Sequence, residues 1–453
     1  MPYASISDYA IIGDCHTAAL VSHEGSIDWC CLPHFDDDAV LCRILDYERG
    51  GYFSLRPAGP FRASRQYEGH TNILVTTFET PGGTVRLIDC MPIEHCGGDR
   101  RGSDVRTRHE ILRMVECLGG RVRLRLEFKP TFEFAAAHPE LYRVRGGCVA
   151  RGKKGLVALN GPFGDSLNIT NDGVATAEFE VASRGRCWIE ADYVPLGDKA
   201  GDPPPALTPD QAEEALSRTR EYWRRWAGIC SYQGPYRDHV LRSALTLKLL
   251  TFEPTGAIVA APTTSLPEEI GGERNWDYRY TWLRDSALTL YALETLGYTE
   301  EAMDFWEWLE QLPYRDDGSL PIVYRLDGRP LDGERELPHL EGYRGSRPVR
   351  VGNQASTQLQ LDVFGEVIDA ACLYTSRIRK PSRELWPVLA SLADRAAQHW
   401  KEPDQGLWEV RTGPRHFLYS KLLCWVALDR ALSLAQTYRL DGDREHWSRA
   451  RDE

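Results

Sequence analysis

The chain has 453 residues, of which 26% are charged and 42% hydrophobic, and its formal net charge is −12. That length suits roughly two or three domains with a large buried core, and the acidic balance argues against nucleic acid or an anionic membrane as a partner. With no apolar run of membrane-spanning length and no basic-then-apolar leader at its start, the sequence is expected to be cytoplasmic.

Up to about Asp202 the chain reads as strands. Segments 18–22 and 26–32 flank the turn His23-Glu24-Gly25, and 72–80 and 84–91 flank Pro81-Gly82-Gly83. Segments 122–128, 155–159, 175–181 and 186–194 continue in alternating or β-branched style. Short strands with turn signals and no long helical pattern predict a β-sandwich. Gly201-Asp202-Pro203-Pro204-Pro205 then reads as a stiff linker.

The next residues, Thr208-Pro209-Asp210-Gln211, place Thr at an N-cap, Pro in the first turn and Gln where a capping box needs it. Helical periodicity predicts helices near 209–228, 236–252, 284–297, 300–311, 354–376, 383–400, 419–437 and 443–452. The expected organisation is a sandwich over 1–202, a helical linker over 203–235 and a helical domain over 236–453. The twelve cysteines are scattered with no C-x-x-C pair, which predicts reduced core thiols and neither a metal nor a cofactor.

Nine of the thirteen tryptophans follow residue 270. Trp306, Trp386, Trp425 and Trp447 fall on predicted helices and are expected in the core. Trp276, Trp282 and Trp408 fall in or beside long loops crowded with charge, where ring faces and directed polar groups suit a sugar. Three such loops stand out: 261–285, ending Trp282-Leu283-Arg284-Asp285; 340–353, rich in Gly and Arg; and 403–416, which contains Trp408-Glu409. Arg284 and Asp285 open a helix, where paired N–H donors and a carboxylate could hold vicinal hydroxyls. Glu409 beside Trp408 could be a desolvated acid.

The stretches SISDYAIIGDCHTAALVSHEGSIDWCCLPHFD, GAIVAAPTTSLPEEIGGERNWDYRYTWLRD, GYRGSRPVRVGN and GLWEVRTGPRHFLYSK together resemble glycoside hydrolase family 15. That family includes glucoamylases, glucodextranases and trehalases. The resemblance implies an N-terminal β-sandwich, a helical linker and an (α/α)6 barrel, with a small α-glucoside as substrate and inverting hydrolysis of a terminal bond. It implies that Glu409 is the general acid, that Arg284, Asp285 and Trp282 grip the non-reducing glucose, and that Trp276, Trp408 and Arg347 help to line the pocket.

The family's base is a Glu late in the barrel, and no segment here matches it, so the general base is expected to lie outside the chain and the barrel to be incomplete. A non-catalytic sugar-binding or regulatory remnant is the alternative. The choice among trehalose, maltooligosaccharide and isomalto-linked substrates stays open, as does homo-oligomer formation.

Overall fold

The computed structural model describes residues 3–95, 105–196, 202–313 and 320–453. Cys96 and Gly201 lie outside the described residues. The first half is two antiparallel sheets joined through one strand. Glu110–Lys129 is 20 residues long. Through 110–116 it pairs with Arg186–Pro195, and alongside Gly83–Cys90 it completes one sheet. A bulge between Cys117 and Gly119 then turns it into the other sheet, against Tyr52–Pro57 and Ala175–Ala182. A strand that changes sheets at a bulge is how a sandwich makes a corner. Gly120, at φ 75°, has no room for a side chain, because a Cβ there would run into the Gly82 carbonyl.

Both expected hairpins form, Ala18–Ser22 with Ser26–Cys31 and Leu74–Thr80 with Gly83–Cys90. Gly25, at φ 82°, closes the first turn under the Leu55 carbonyl. Ile27, Phe53, Leu55, Phe78, Leu87 and Leu124 are buried in the core between the sheets.

Eight helices follow among the described residues: α1 Pro209–Ala227, α2 Arg237–Leu249, α3 Leu283–Thr295, α4 Glu300–Leu309, α5 Asp362–Arg377, α6 Leu385–His399, α7 Leu418–Tyr438 and α8 Arg444–Asp452. The cap of α1 is the capping box its sequence predicts. Gln211 N donates to Thr208 Oγ1 at 3.3 Å, and Thr208 N donates to Gln211 Oε1 at 2.9 Å. Thr208→Ala is therefore expected to cost about 1 kcal/mol, measurable by urea unfolding. α1 lays Ala212 and Leu216 on the sandwich against Ile88, Leu112 and Met114.

The helices α3, α5 and α7 pack side by side in an arc, with α4, α6 and α8 behind them. The arc is part of an (α/α)6 barrel. Its two end helices carry exposed apolar side chains, Leu288 and Tyr291 on α3 and Leu418, Leu422 and Trp425 on α7. Trp306, Trp386 and Trp447 are buried as expected, but Trp425 is 45% exposed, because it lies on that open face of α7. None of the described helices is long and apolar enough to cross a membrane.

The predicted helix over 354–376 is in fact a 3-10 turn, Gln354–Thr357, a break, and then α5. Its amides turn towards the third loop instead. Leu359 N donates to Gln405 Oε1 at 3.0 Å and Leu361 N to Asp404 Oδ2 at 3.0 Å.

The two halves are joined by polar clamps. Arg279, fully buried, forks onto Asp277 at 2.8 and 2.7 Å and donates to the Phe35 and Asp37 carbonyls of the sandwich at 3.2 and 2.6 Å. Trp29 Nε1 donates to the Pro262 carbonyl at 2.8 Å. Glu133, Phe134 and Ala135 form a left-handed turn at this junction, with φ of 53°, 55° and 59°. That backbone costs about 1–2 kcal/mol per residue. It drives Phe134 into a cluster with Trp29, Leu337 and Leu340, which offsets the strain.

Candidate active site

The side-by-side helices bring their N-terminal ends together, and the three long loops lead into or border those ends. Each terminus offers unsatisfied N–H groups and a partial positive charge, so the end of the arc favours carboxylates. The third loop is pinned there by Asp404, which is buried and accepts from Leu361 N at 3.0 Å and Ser420 Oγ at 2.8 Å. Asp404 and Arg415 exchange backbone hydrogen bonds at 2.9 and 2.7 Å and close the loop. Gly406, at φ 62°, packs under the Phe417 ring, where a Cβ would not fit.

Glu409 stands at the tip of this loop on left-handed backbone, φ 51°. A non-glycine residue held there is strained by roughly 1–3 kcal/mol and persists only where its surroundings fix it. The fixing is visible. Glu409 Oε1 accepts from Trp282 Nε1 at 2.8 Å, Gln360 Nε2 at 3.2 Å and Arg284 Nη2 at 3.4 Å. The described hydrogen bonds of the carboxylate all converge on Oε1, which leaves Oε2 as the oxygen able to carry a proton outwards.

Arg284 is the hub. Its guanidinium donates to Gln360 Oε1 at 2.6 Å and reaches Asp362 at 3.2 Å, Glu409 at 3.4 Å and Asp285 at 3.6 Å. One cation faces three carboxylates, so its charge is shared among them. Burial raises the Glu409 pKa above the ordinary glutamate value, opposed by Arg284 and by the Gln360 and Trp282 hydrogen bonds. Burial likewise raises Asp285 and Asp362, again opposed by Arg284. Burial thus favours the protonated form at each of the three carboxyls, and the Arg284 cation opposes it.

The structure thus brings together Glu409, Arg284, Asp285 and Trp282. Trp276 lies one step out, with the Arg411 and Arg350 guanidiniums over its ring at 3.7 and 4.4 Å. Glu334 ties both arginines down, at 2.7 Å to Arg411 and 3.3 Å to Arg350. Trp408 neighbours Glu409 in sequence, yet its ring is 76% exposed and not packed into the cluster. Arg347 is not brought in. It is exposed and donates to the Glu341 carbonyl at 3.3 Å, because its loop turns towards the N-terminal segment, where Tyr343 donates to the Ala4 carbonyl. Arg350 reaches the first loop in its place. Sequence reasoning missed Gln360 and Asp362, which lie in a stretch that reads as helix, and the polar interruption Gln358-Leu359-Gln360 was the signal available.

Residues 234–453 match the family model for glycosyl hydrolases family 15, and residues 3–190 match that for the trehalase-like N-terminal domain. A trehalase of Mycolicibacterium smegmatis is 37% identical over 98% of this chain and 68% of its own length. The chain belongs to glycoside hydrolase family 15. A second member, a trehalase of Thermoplasma acidophilum, is 38% identical over 96% of this chain and 72% of its own length. The family's fold also appears in a bacterial glucoamylase solved with acarbose, at TM-score 0.65 and 12% identity over 99% of this chain and 66% of that one. Family 15 membership makes the chain a glycoside hydrolase by kinship.

Proposed function

We propose that this chain carries the acid and glucose-holding part of an inverting site for terminal α-glucosidic bonds, with trehalose as the substrate. The observation that carries the reading is the half-buried Glu409 carboxylate, held at Oε1 by Trp282, Gln360 and Arg284 with Oε2 free to face a leaving oxygen. In this reading protonated Glu409 gives its proton to the glycosidic oxygen as the C1–O bond breaks. Arg284 and Asp285 hold hydroxyls of the glucosyl unit whose C1 is attacked by water, and Trp282 supplies a ring edge beside them. An inverting reaction also needs a base carboxylate roughly 6.5–9.5 Å from the acid, with a water between them. Asp285 and Asp362 are engaged by Arg284, so neither is assigned that role. Trehalose is favoured by its presence in the names of the relatives, and the described cysteines, all free, fit a reducing cytoplasm.

The test is glucose release from trehalose by the 453-residue chain and by the same chain fused to the carboxyl-terminal third of the Mycolicibacterium relative. The fusion is expected to turn over trehalose. Release by the chain alone would place the base among the residues described, with Asp285 and Asp362 as the first to mutate. The product anomers test the stereochemistry. Inversion gives β- and α-glucose in equal amounts, whereas retention gives α-glucose only.

In the active form, Arg284→Ala is expected to lower kcat/KM more than kcat, because its hydrogen bonds to glucose exist from the Michaelis complex onward. Removing the guanidinium also takes away the charge that lowers the Glu409 pKa. A general acid works while protonated, so the alkaline limb of the pH profile should move to higher pH. A variant that only melts at lower temperature, with unaltered kinetics and pH profile, would make Arg284 structural.

A further inference from the structure

A cavity of about 360 Å³ lies between the sandwich and the barrel loops. None of Trp282, Arg284, Gln360, Asp362 and Glu409 lines it. Its walls come from both halves of the molecule. Phe132 and Tyr193 enter from the sandwich and Tyr280 from the first loop, all three largely buried yet facing the cavity. Asp36 and Arg325 meet across it at 3.0 Å. Arg325 Nε is buried and has no hydrogen-bond partner among the described residues.

Six carboxylates and four cations line the cavity. Asp36 is paired with Arg325, and Asp38 with Lys154 at 3.0 Å. The walls are thus mixed in sign with a modest acidic excess. They present carboxylate acceptors and guanidinium donors at short spacing beside aromatic faces, the combination that recognises vicinal hydroxyls and sugar C–H faces. The volume is within the range of small-molecule sites. One wall is Glu133, the first residue of the strained left-handed turn.

We propose that this interdomain cavity is a second, non-catalytic binding site for glucose or a short α-glucoside. The sugar ring stacks on Tyr193 and Tyr280, and its hydroxyls take an N–H of the Arg325 guanidinium, a lone pair of Asp36 and the Tyr280 hydroxyl.

The experiment is titration calorimetry with D-glucose and with trehalose on the purified chain and four variants, each checked by thermal unfolding. Arg284→Ala disables the catalytic cluster and is expected to keep sugar binding. Adding Arg325→Gln or Asp36→Asn to Arg284→Ala should weaken what remains by roughly tenfold, the loss of about one directed hydrogen bond to a hydroxyl. Should either change unfold the junction, Tyr280→Phe on the Arg284→Ala background removes a hydroxyl while keeping the ring, and weakening is again expected. Loss of all binding in Arg284→Ala alone overturns the proposal. So does residual binding that is indifferent to Arg325→Gln, Asp36→Asn and Tyr280→Phe.

Discussion

Glu409→Gln, made in a form that releases glucose, is expected to fold like the parent and to lose kcat by at least ~10²-fold, the scale of general-acid catalysis. Gln keeps the Oε1 acceptor for Trp282, Gln360 and Arg284, so the loop stays in place and only the proton is lost. Because burial raises the Glu409 pKa, the parent should hold its activity to higher pH than an exposed glutamate would allow, with kcat/KM falling as that group ionises. The variant's residual activity should lack that alkaline limb. Steady-state rates from about pH 4, near the usual carboxyl value, up to about pH 9 would measure both effects. Unchanged turnover in Glu409→Gln would remove the residue from the mechanism.

The second large effect is on stability. Arg279→Ala is expected to cost about 3–5 kcal/mol, because it strands the fully buried Asp277 carboxylate without its cation. It also releases the Phe35 and Asp37 carbonyls of the sandwich. Arg279→Lys should recover only part of the loss, since an ammonium cannot reproduce the two-pronged contact. Asp277→Asn combined with Arg279→Met should be milder than Arg279→Ala, because no buried charge remains unpaired. Chemical unfolding of the three variants orders them. A loss in Arg279→Ala of less than about 1 kcal/mol, the size of a surface pair, would show that the clamp does not hold the halves together.

The local features were readable from sequence because local rules set them. Gly25 and Gly82 mark turns that need small residues, and Thr208-Pro209-Asp210-Gln211 is a cap whatever surrounds it. The 20-residue strand was legible only in its second half, because Gly119-Gly120 reads as an end and works as a bulge. Gln360 was hidden for a different reason. Its segment carries helical periodicity, and the helix is interrupted only because Asp404 and Gln405, more than forty residues later, capture its amides. Arg347 and Arg350 stand three residues apart in one loop, and periodicity holds no information on which of them turns inward. Motif likeness brought Glu409, Arg284, Asp285 and Trp282 together. Distance in the chain concealed the Glu334 tether.

The left-handed backbone at Glu409 sets catalysis and durability against each other at a single codon. Glycine at that position would occupy φ 51° without steric penalty, so Glu409→Gly should abolish proton donation while the relief of strain offsets part of the loss of its three hydrogen bonds. Most routes to an inactive enzyme lower its stability and are removed by cellular quality control. This one would be partly shielded from that screening. A lineage released from the need to split its sugar could cross it in one step and keep a folded protein, free to serve as a sugar receptor.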